Sequence, residues 1–179
     1  MKLFIFIIFI IGSVNTQSLS ISADTAIVTF HSTLIRNKKV EYTATTGTQP
    51  VWNDKGISVA AVHYTYYERQ YVKDQSNRPI LISFNGGPGS GSVWMHLAYT
   101  GPMILKVDDE GFPVQPYGVK KNPYSILDVA DIVFVNPVNT GYSRIIDKDV
   151  KKETFFGVNA DIKYLAEWIN TFIQRVNRW

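Results

Sequence analysis

Pro79-Ile80-Leu81-Ile82-Ser83-Phe84-Asn85-Gly86-Gly87-Pro88-Gly89-Ser90-Gly91-Ser92 is the stretch on which the fold and the chemistry of this chain turn. Its first half is apolar and β-branched, which predicts a short buried strand. Its second half sets four glycines and one proline within six residues, which ends the strand in a turn. A strand that ends this way brings bare backbone N–H groups to the tip of a sheet. Glycine has no Cβ, so a ligand can come close and positive φ is allowed. Such N–H groups can hold an anion or a developing oxyanion.

Three roles compete for such a turn: phosphate binding, a plain structural turn, and an oxyanion loop. A P-loop closes on Gly-Lys-Ser/Thr, and no lysine lies between Arg78 and Lys106. The dinucleotide spacing G-x-G-x-x-G also fails, because its third glycine falls on Ser92 or on Trp94. The oxyanion loop of an α/β-hydrolase is a glycine-rich segment after an early strand.

Asn85-Gly86-Gly87-Pro88-Gly89-Ser90 resembles the oxyanion-loop signature of the serine carboxypeptidase family. Asp128-Val129-Ala130-Asp131-Ile132-Val133-Phe134-Val135-Asn136-Pro137-Val138-Asn139-Thr140-Gly141-Tyr142-Ser143-Arg144 resembles the family's next strand and its turn. Gly101-Pro102, Asn122-Pro123-Tyr124-Ser125 and Glu41-Tyr42-Thr43-Ala44-Thr45-Thr46-Gly47 extend the match from Val40 to Trp179. Ser90 stands where many eukaryotic relatives carry cysteine, a departure that favours a bacterial-like branch. Gly91 and Asn136 stand where serine and aspartate are commoner, and Asn136 leaves any carboxylate role at that turn open.

The resemblance implies the N-terminal portion of an α/β-hydrolase fold, with antiparallel edge strands leading into a parallel sheet with crossover helices. It implies a serine carboxypeptidase acting on peptide or protein C-termini, with no cofactor and no metal. The Gly87 N–H would be one oxyanion donor. Asn85, with the Gly86 N–H, would hold the substrate's C-terminal carboxylate. An amide and a backbone N–H bind a carboxylate without burying a second charge. Only a chain end offers that carboxylate, so the reaction would be exopeptidic. Acyl transfer at the same site is one alternative, and a secreted non-catalytic binding protein is another.

A serine hydrolase also needs a nucleophile and a histidine base. No G-x-S-x-G elbow occurs here, and the one serine between glycines, Ser90, lies in the loop itself. His31 sits in the N-terminal region and His63 on a predicted strand, while His96 follows the loop on a helix and could face the site; a lone histidine is more often a packed or surface residue. By family order the base falls downstream of Trp179. The chain therefore reads as lacking its own nucleophile and base.

Residues 1–17 read as a signal peptide: Met1-Lys2, then an unbroken apolar run from Leu3 to Ile11. That run is short of the ~20 residues a membrane-spanning helix needs. Export is expected, to an extracellular, periplasmic or lysosome-like compartment, with no stable membrane span. Residues 18–179 form the hydrolase portion. The chain has no cysteine, so its core alone must hold it. The net charge of +3 is spread over separate lysine pairs, which argues against a nucleic-acid partner.

Ala26 to Phe30, Lys39 to Ala44 and Ile57 to Tyr67 read as three strands of an antiparallel meander. Ser92 to Tyr99 reads as a short helix whose N-terminus adds to anion stabilisation. Val107 to Tyr124 reads as loop-rich, and Ile132 to Val135 as a buried strand. Phe155 to Trp179 reads as the main helix. Its apolar face is Val158, Ile162, Leu165, Ile169, Phe172, Ile173 and Val176.

Overall fold

The computed structural model describes residues 21–86 and 89–179. The expected signal peptide and Gly87 lie outside these residues. Strands β1 (Thr25–Ile35), β2 (Lys38–Trp52) and β3 (Ser58–Arg69) form the antiparallel meander that the alternation of β formers predicts, each longer than expected. Strand β4 (Ile80–Ser83) carries the decisive stretch. β5 (Met103–Leu105) and β6 (Val119–Lys121) form a separate hairpin, with β6 inside the segment expected to be loop-rich and β5 just before it. β7 (Asp131–Val135) follows, then the two-residue β8 (Arg144–Ile145) and helix α1 (Val158–Arg175).

The main sheet runs β1-β2-β3-β7-β4, with β8 on β3. β4 and β7 pair in parallel, Ile80 opposite Asp131 and Ser83 opposite Phe134. A parallel pair needs a crossover, usually a helix. Among the described residues the crossover consists of a π-helix (Met95–Thr100), the β5–β6 hairpin and a short 3-10 turn (Ile126–Asp128), with no regular α-helix. α1 follows β7 as the one α-helix among the described residues.

All five residues of β7 are buried, as in a strand covered on both faces. Val133 and Val135 point to one core with Val62, Tyr64, Tyr66 and α1. Ile132 and Phe134 point to the other with Val40, Tyr42 and Leu127. The period of two sorts them.

The inward face of α1 differs from the expected one. Its deepest residues are Tyr164, Trp168 and Phe172, one per turn at a spacing of four. Val158 and Ile162 are exposed, whereas Leu165, Ile169 and Val176 pack at the margin of the core. The larger aromatic surfaces occupy the sheet-facing stripe and turn the aliphatic row to its side.

Candidate functional site

β4 and β7 end side by side, so the two segments after them, Phe84 to Ser92 and Asn136 to Ser143, meet at the same end of the sheet. Asn85 is half-buried, and its Oδ1 accepts the Met95 N–H at 3.3 Å. That bond orients the amide and leaves Nδ2 without a partner among the described residues. The Met95 N–H, the first of the π-helix, is thereby occupied. Gly86 is exposed, and a Cβ there would meet nothing within 4 Å. Phe84, Asn85 and Gly86 line one side of a cavity of about 530 Å³, and Val138, Phe156, Val158 and Leu165 line the other.

Asn136 joins the two segments. Its Oδ1 accepts the Ser92 N–H at 2.8 Å, and its Nδ2 lies 3.0 Å from His63 Nδ1. The Ser92 hydroxyl donates to the Val135 carbonyl. Ser143 Oγ donates to the Asn136 carbonyl at 2.6 Å and accepts the His63 N–H at 2.8 Å. Gly141, at φ +48°, closes against this amide: a Cβ there would sit 2.6 Å from Asn136 Nδ2. Gly141→Ala is therefore expected to cost about 2–3 kcal/mol, from left-handed backbone and overpacking together. Urea unfolding measures it.

His96 sits beneath this site. Its Nε2 lies 2.6 Å from the Tyr67 hydroxyl, and its ring stacks on Phe134 at 4.4 Å. Burial pushes its pKa down to about 4. Burial also raises the Tyr67 hydroxyl, which stays protonated. The imidazole is thus neutral in the fold, while the unfolded chain takes up a proton below histidine's ordinary value. Stability contributed by His96 is present above about pH 6.5 and is lost as pH falls towards 4. His96→Phe is expected to flatten that slope in a pH series of urea midpoints.

Of the expected site residues, Asn85 and Gly86 stand together at the cavity rim, and Gly87 is outside the described residues. Ser90 lines the same cavity. His63 and His96 both approach this end of the sheet, whereas His31 lies away from it, stacked on Tyr42. Reading the histidines as packed or surface residues missed the link from His63 to Asn136. No local signal exposes it, because the partners are 73 residues apart.

A profile of the serine carboxypeptidase family matches residues 38–178, most of the chain. The chain belongs to the serine carboxypeptidase family. Among curated relatives, it is 33% identical over 117 residues to the pheromone-processing carboxypeptidase KEX1 of Fusarium vanettenii, covering 65% of this chain and 16% of that protein. It is 33% identical over 82 residues to carboxypeptidase Y homolog A of Pyrenophora tritici-repentis, covering 45% of this chain and 14% of that protein. It is 34% identical over 89 residues to the lysosomal protective protein of Mus musculus, covering 48% and 16%. The chain thus spans only a small part of the length of these relatives. Among solved structures, the prohormone-processing carboxypeptidase Kex1(delta)p of Saccharomyces cerevisiae matches with a TM-score of 0.55 and 21% identity, over 76% of this chain and 29% of that one. The described residues thus resemble part of a solved serine carboxypeptidase, and their mixed sheet with few helices is consistent with an N-terminal portion of that fold, although the crossover between the parallel strands is not the helix the resemblance implies.

Proposed function

We propose that these residues form the N-terminal part of an α/β-hydrolase and supply the carboxylate- and oxyanion-binding side of a serine carboxypeptidase site. The observation that carries this reading is the Asn85 amide. Its oxygen is fixed by the Met95 N–H, and its Nδ2 is left beside the exposed Gly86 at the rim of the cavity. That pair suits the terminal carboxylate of a peptide. The Gly87 N–H would then face the scissile carbonyl oxygen and take the charge it gains on attack.

The nucleophilic serine and its histidine would come from polypeptide outside these 179 residues. The serine would attack the scissile carbonyl and pass its proton through the histidine to the leaving amine. Water would then release the acyl group. Two features support a missing neighbour here. Among the described residues β4 is an edge of the sheet, and the cavity beside it is lined by Phe84, Val138 and Leu165. The expected setting is the secretory pathway or a lysosome-like compartment, after removal of residues 1–17. Among the described residues no helix is long and apolar enough to cross a membrane.

The test uses the product of the complete reading frame and N-blocked dipeptides with a free or an amidated C-terminus. Cleavage of the free acid, with at least about a hundredfold preference over the amide, is expected from loss of a charge-assisted contact. Equal cleavage of both would overturn the carboxypeptidase reading.

A further inference from the structure

The amide of Asn136 faces two partners that make opposite demands. The Ser92 N–H needs an acceptor, so Oδ1 turns to it at 2.8 Å. Nδ2 is then a donor towards His63 Nδ1 at 3.0 Å, which must be the bare nitrogen of a neutral ring. The ring hydrogen therefore sits on Nε2 and points at Thr46 Oγ1, 3.2 Å away. Thr46 Oγ1 donates onward to the Tyr64 carbonyl at 3.3 Å. The Asn136 and His63 hydrogens in this chain of bonds have one consistent arrangement, while the Thr46 hydroxyl also lies 3.3 Å from Thr65 Oγ1.

The backbone leaves the ring and the amide little freedom. Asn136 N–H donates to the His63 carbonyl at 3.0 Å, and Ser143 Oγ bridges the two residues from the other side. Gly91 and Gly141 crowd the amide, with virtual Cβ positions 3.2 Å from Oδ1 and 2.6 Å from Nδ2.

We propose that Asn136 is a proton-sensitive clamp on the Gly91–Ser92 end of the glycine segment, holding Ser92 while His63 is neutral and releasing it when His63 takes up a proton. A proton on Nδ1 sets two donors face to face. Flipping the amide satisfies His63 but turns Nδ2 towards the Ser92 N–H. The charged His63 N–H makes the stronger bond to Oδ1, so the Ser92 N–H is the one that loses its acceptor, and among the described residues only the Ser92 hydroxyl on the Val135 carbonyl still ties the segment to the end of β7.

The groups packed around His63 do not hold its proton. The Tyr142 ring lies 5.3 Å away on the turn, and Thr46 comes from β2. His96, on the π-helix, is neutral. The Arg144 guanidinium is turned to the Gly141 and Ser143 carbonyls. Among the described residues no carboxylate pairs with His63. Burial lowers its pKa, so release falls on the acid side of histidine's ordinary value. The functional meaning of this clamp, a loop that loses its placement in acid, rests on the oxyanion-loop reading. The clamp itself does not.

The test follows the ¹⁵N-labelled 179-residue chain by NMR from about pH 7.5 to about pH 4.5, a range that brackets histidine's ordinary value. His63 ring shifts and Ser92 amide exchange are read together. Corrected for its intrinsic pH dependence, Ser92 exchange is expected to accelerate by roughly tenfold, the equivalent of one hydrogen bond, at the midpoint of the His63 titration. Asn136→Asp gives Ser92 an acceptor and the protonated ring a carboxylate. In that variant Ser92 should stay protected through the same range, and His63 should titrate at higher pH. His63→Gln keeps an acceptor for Nδ2 without a titrating group, and should abolish the midpoint. Ser92 protection that persists while His63 titrates in the unsubstituted chain would overturn the clamp, as would a Ser92 midpoint that survives in His63→Gln. Neither readout depends on peptidase activity, so a failed clamp and a failed carboxypeptidase reading are told apart.

Discussion

Asp131→Ala is expected to destabilise the chain by about 3–5 kcal/mol, because it strands two buried guanidinium groups. Asp131 is fully buried and accepts four hydrogen bonds. Oδ1 takes Arg78 Nε at 2.8 Å and the Arg69 N–H at 2.9 Å. Oδ2 takes Arg178 Nη1 at 2.7 Å and Gln75 Nε2 at 2.9 Å. The Arg78 and Arg178 side chains are themselves only 7% and 4% exposed, so neither can turn to water when the carboxylate is removed. Glu68, 3.7 Å from Arg178, is a partial substitute only. Urea unfolding followed by tryptophan fluorescence measures the loss. Joint replacement of Asp131, Arg78 and Arg178 by apolar residues of similar volume is expected to recover most of it, since removing all the charges together leaves none unpaired. A loss below about 1 kcal/mol in the single variant would mean that the charges reach solvent.

The position of this cluster explains its bearing on the site. Asp131 is the first residue of β7 and lies opposite Ile80, the first of β4. Arg78 precedes β4, and Arg178 follows α1. One carboxylate therefore holds the entry to both parallel strands and the exit of the helix. The register it fixes at one end sets where Asn85 and Asn136 emerge at the other.

The glycine turn was legible because strand and turn chemistry are local: a β-branched run followed by glycine and proline needs no partner to be recognised. The three N-terminal strands and the span of α1 were legible for the same reason. The rest depended on partners distant in sequence. Asp131 reads as a polar residue at a strand start, and only three converging donor side chains, from Gln75, Arg78 and Arg178, make it the centre of a buried cluster. Asn136 reads as a departure from a family pattern, yet its amide can do what a carboxylate cannot, accepting from Ser92 while donating to His63. The β5–β6 hairpin has three-residue strands, too short for alternation to show. On α1, counting aliphatic residues picked a stripe beside the true one. Val158 and Ile162 keep the right period but face the cavity and solvent, and the buried stripe is set by what β3 presents, Tyr64 and Tyr66.

Phe172→Ala tests that stripe and carries the second large effect, about 3–5 kcal/mol. Phe172 is completely buried and stacks on Trp168 at 5.2 Å, with the planes 6° apart. Tyr64 and Tyr66 meet its ring edge to face at 5.4 and 5.3 Å. Alanine would open a cavity against three aromatic rings, none of which can collapse into it without leaving its own contact. Trp168→Phe should be far milder, under about 1.5 kcal/mol. The indole N–H of Trp168 is buried without a partner among the described residues, so its removal offsets part of the lost packing. The stripe also reaches the site. One turn before Trp168, the Tyr164 hydroxyl accepts the Val138 N–H at 3.2 Å, in the turn that carries Asn136. Loosening α1 at Phe172 should therefore speed exchange of the Val138 amide along with global unfolding. Tyr164→Phe, which keeps the ring but leaves the buried Val138 N–H without its acceptor, should cost about 1–3 kcal/mol in urea unfolding and speed exchange at Val138 beyond that global loss. If the two variants changed Val138 exchange only in proportion to global stability, α1 would support the sheet without positioning the turn.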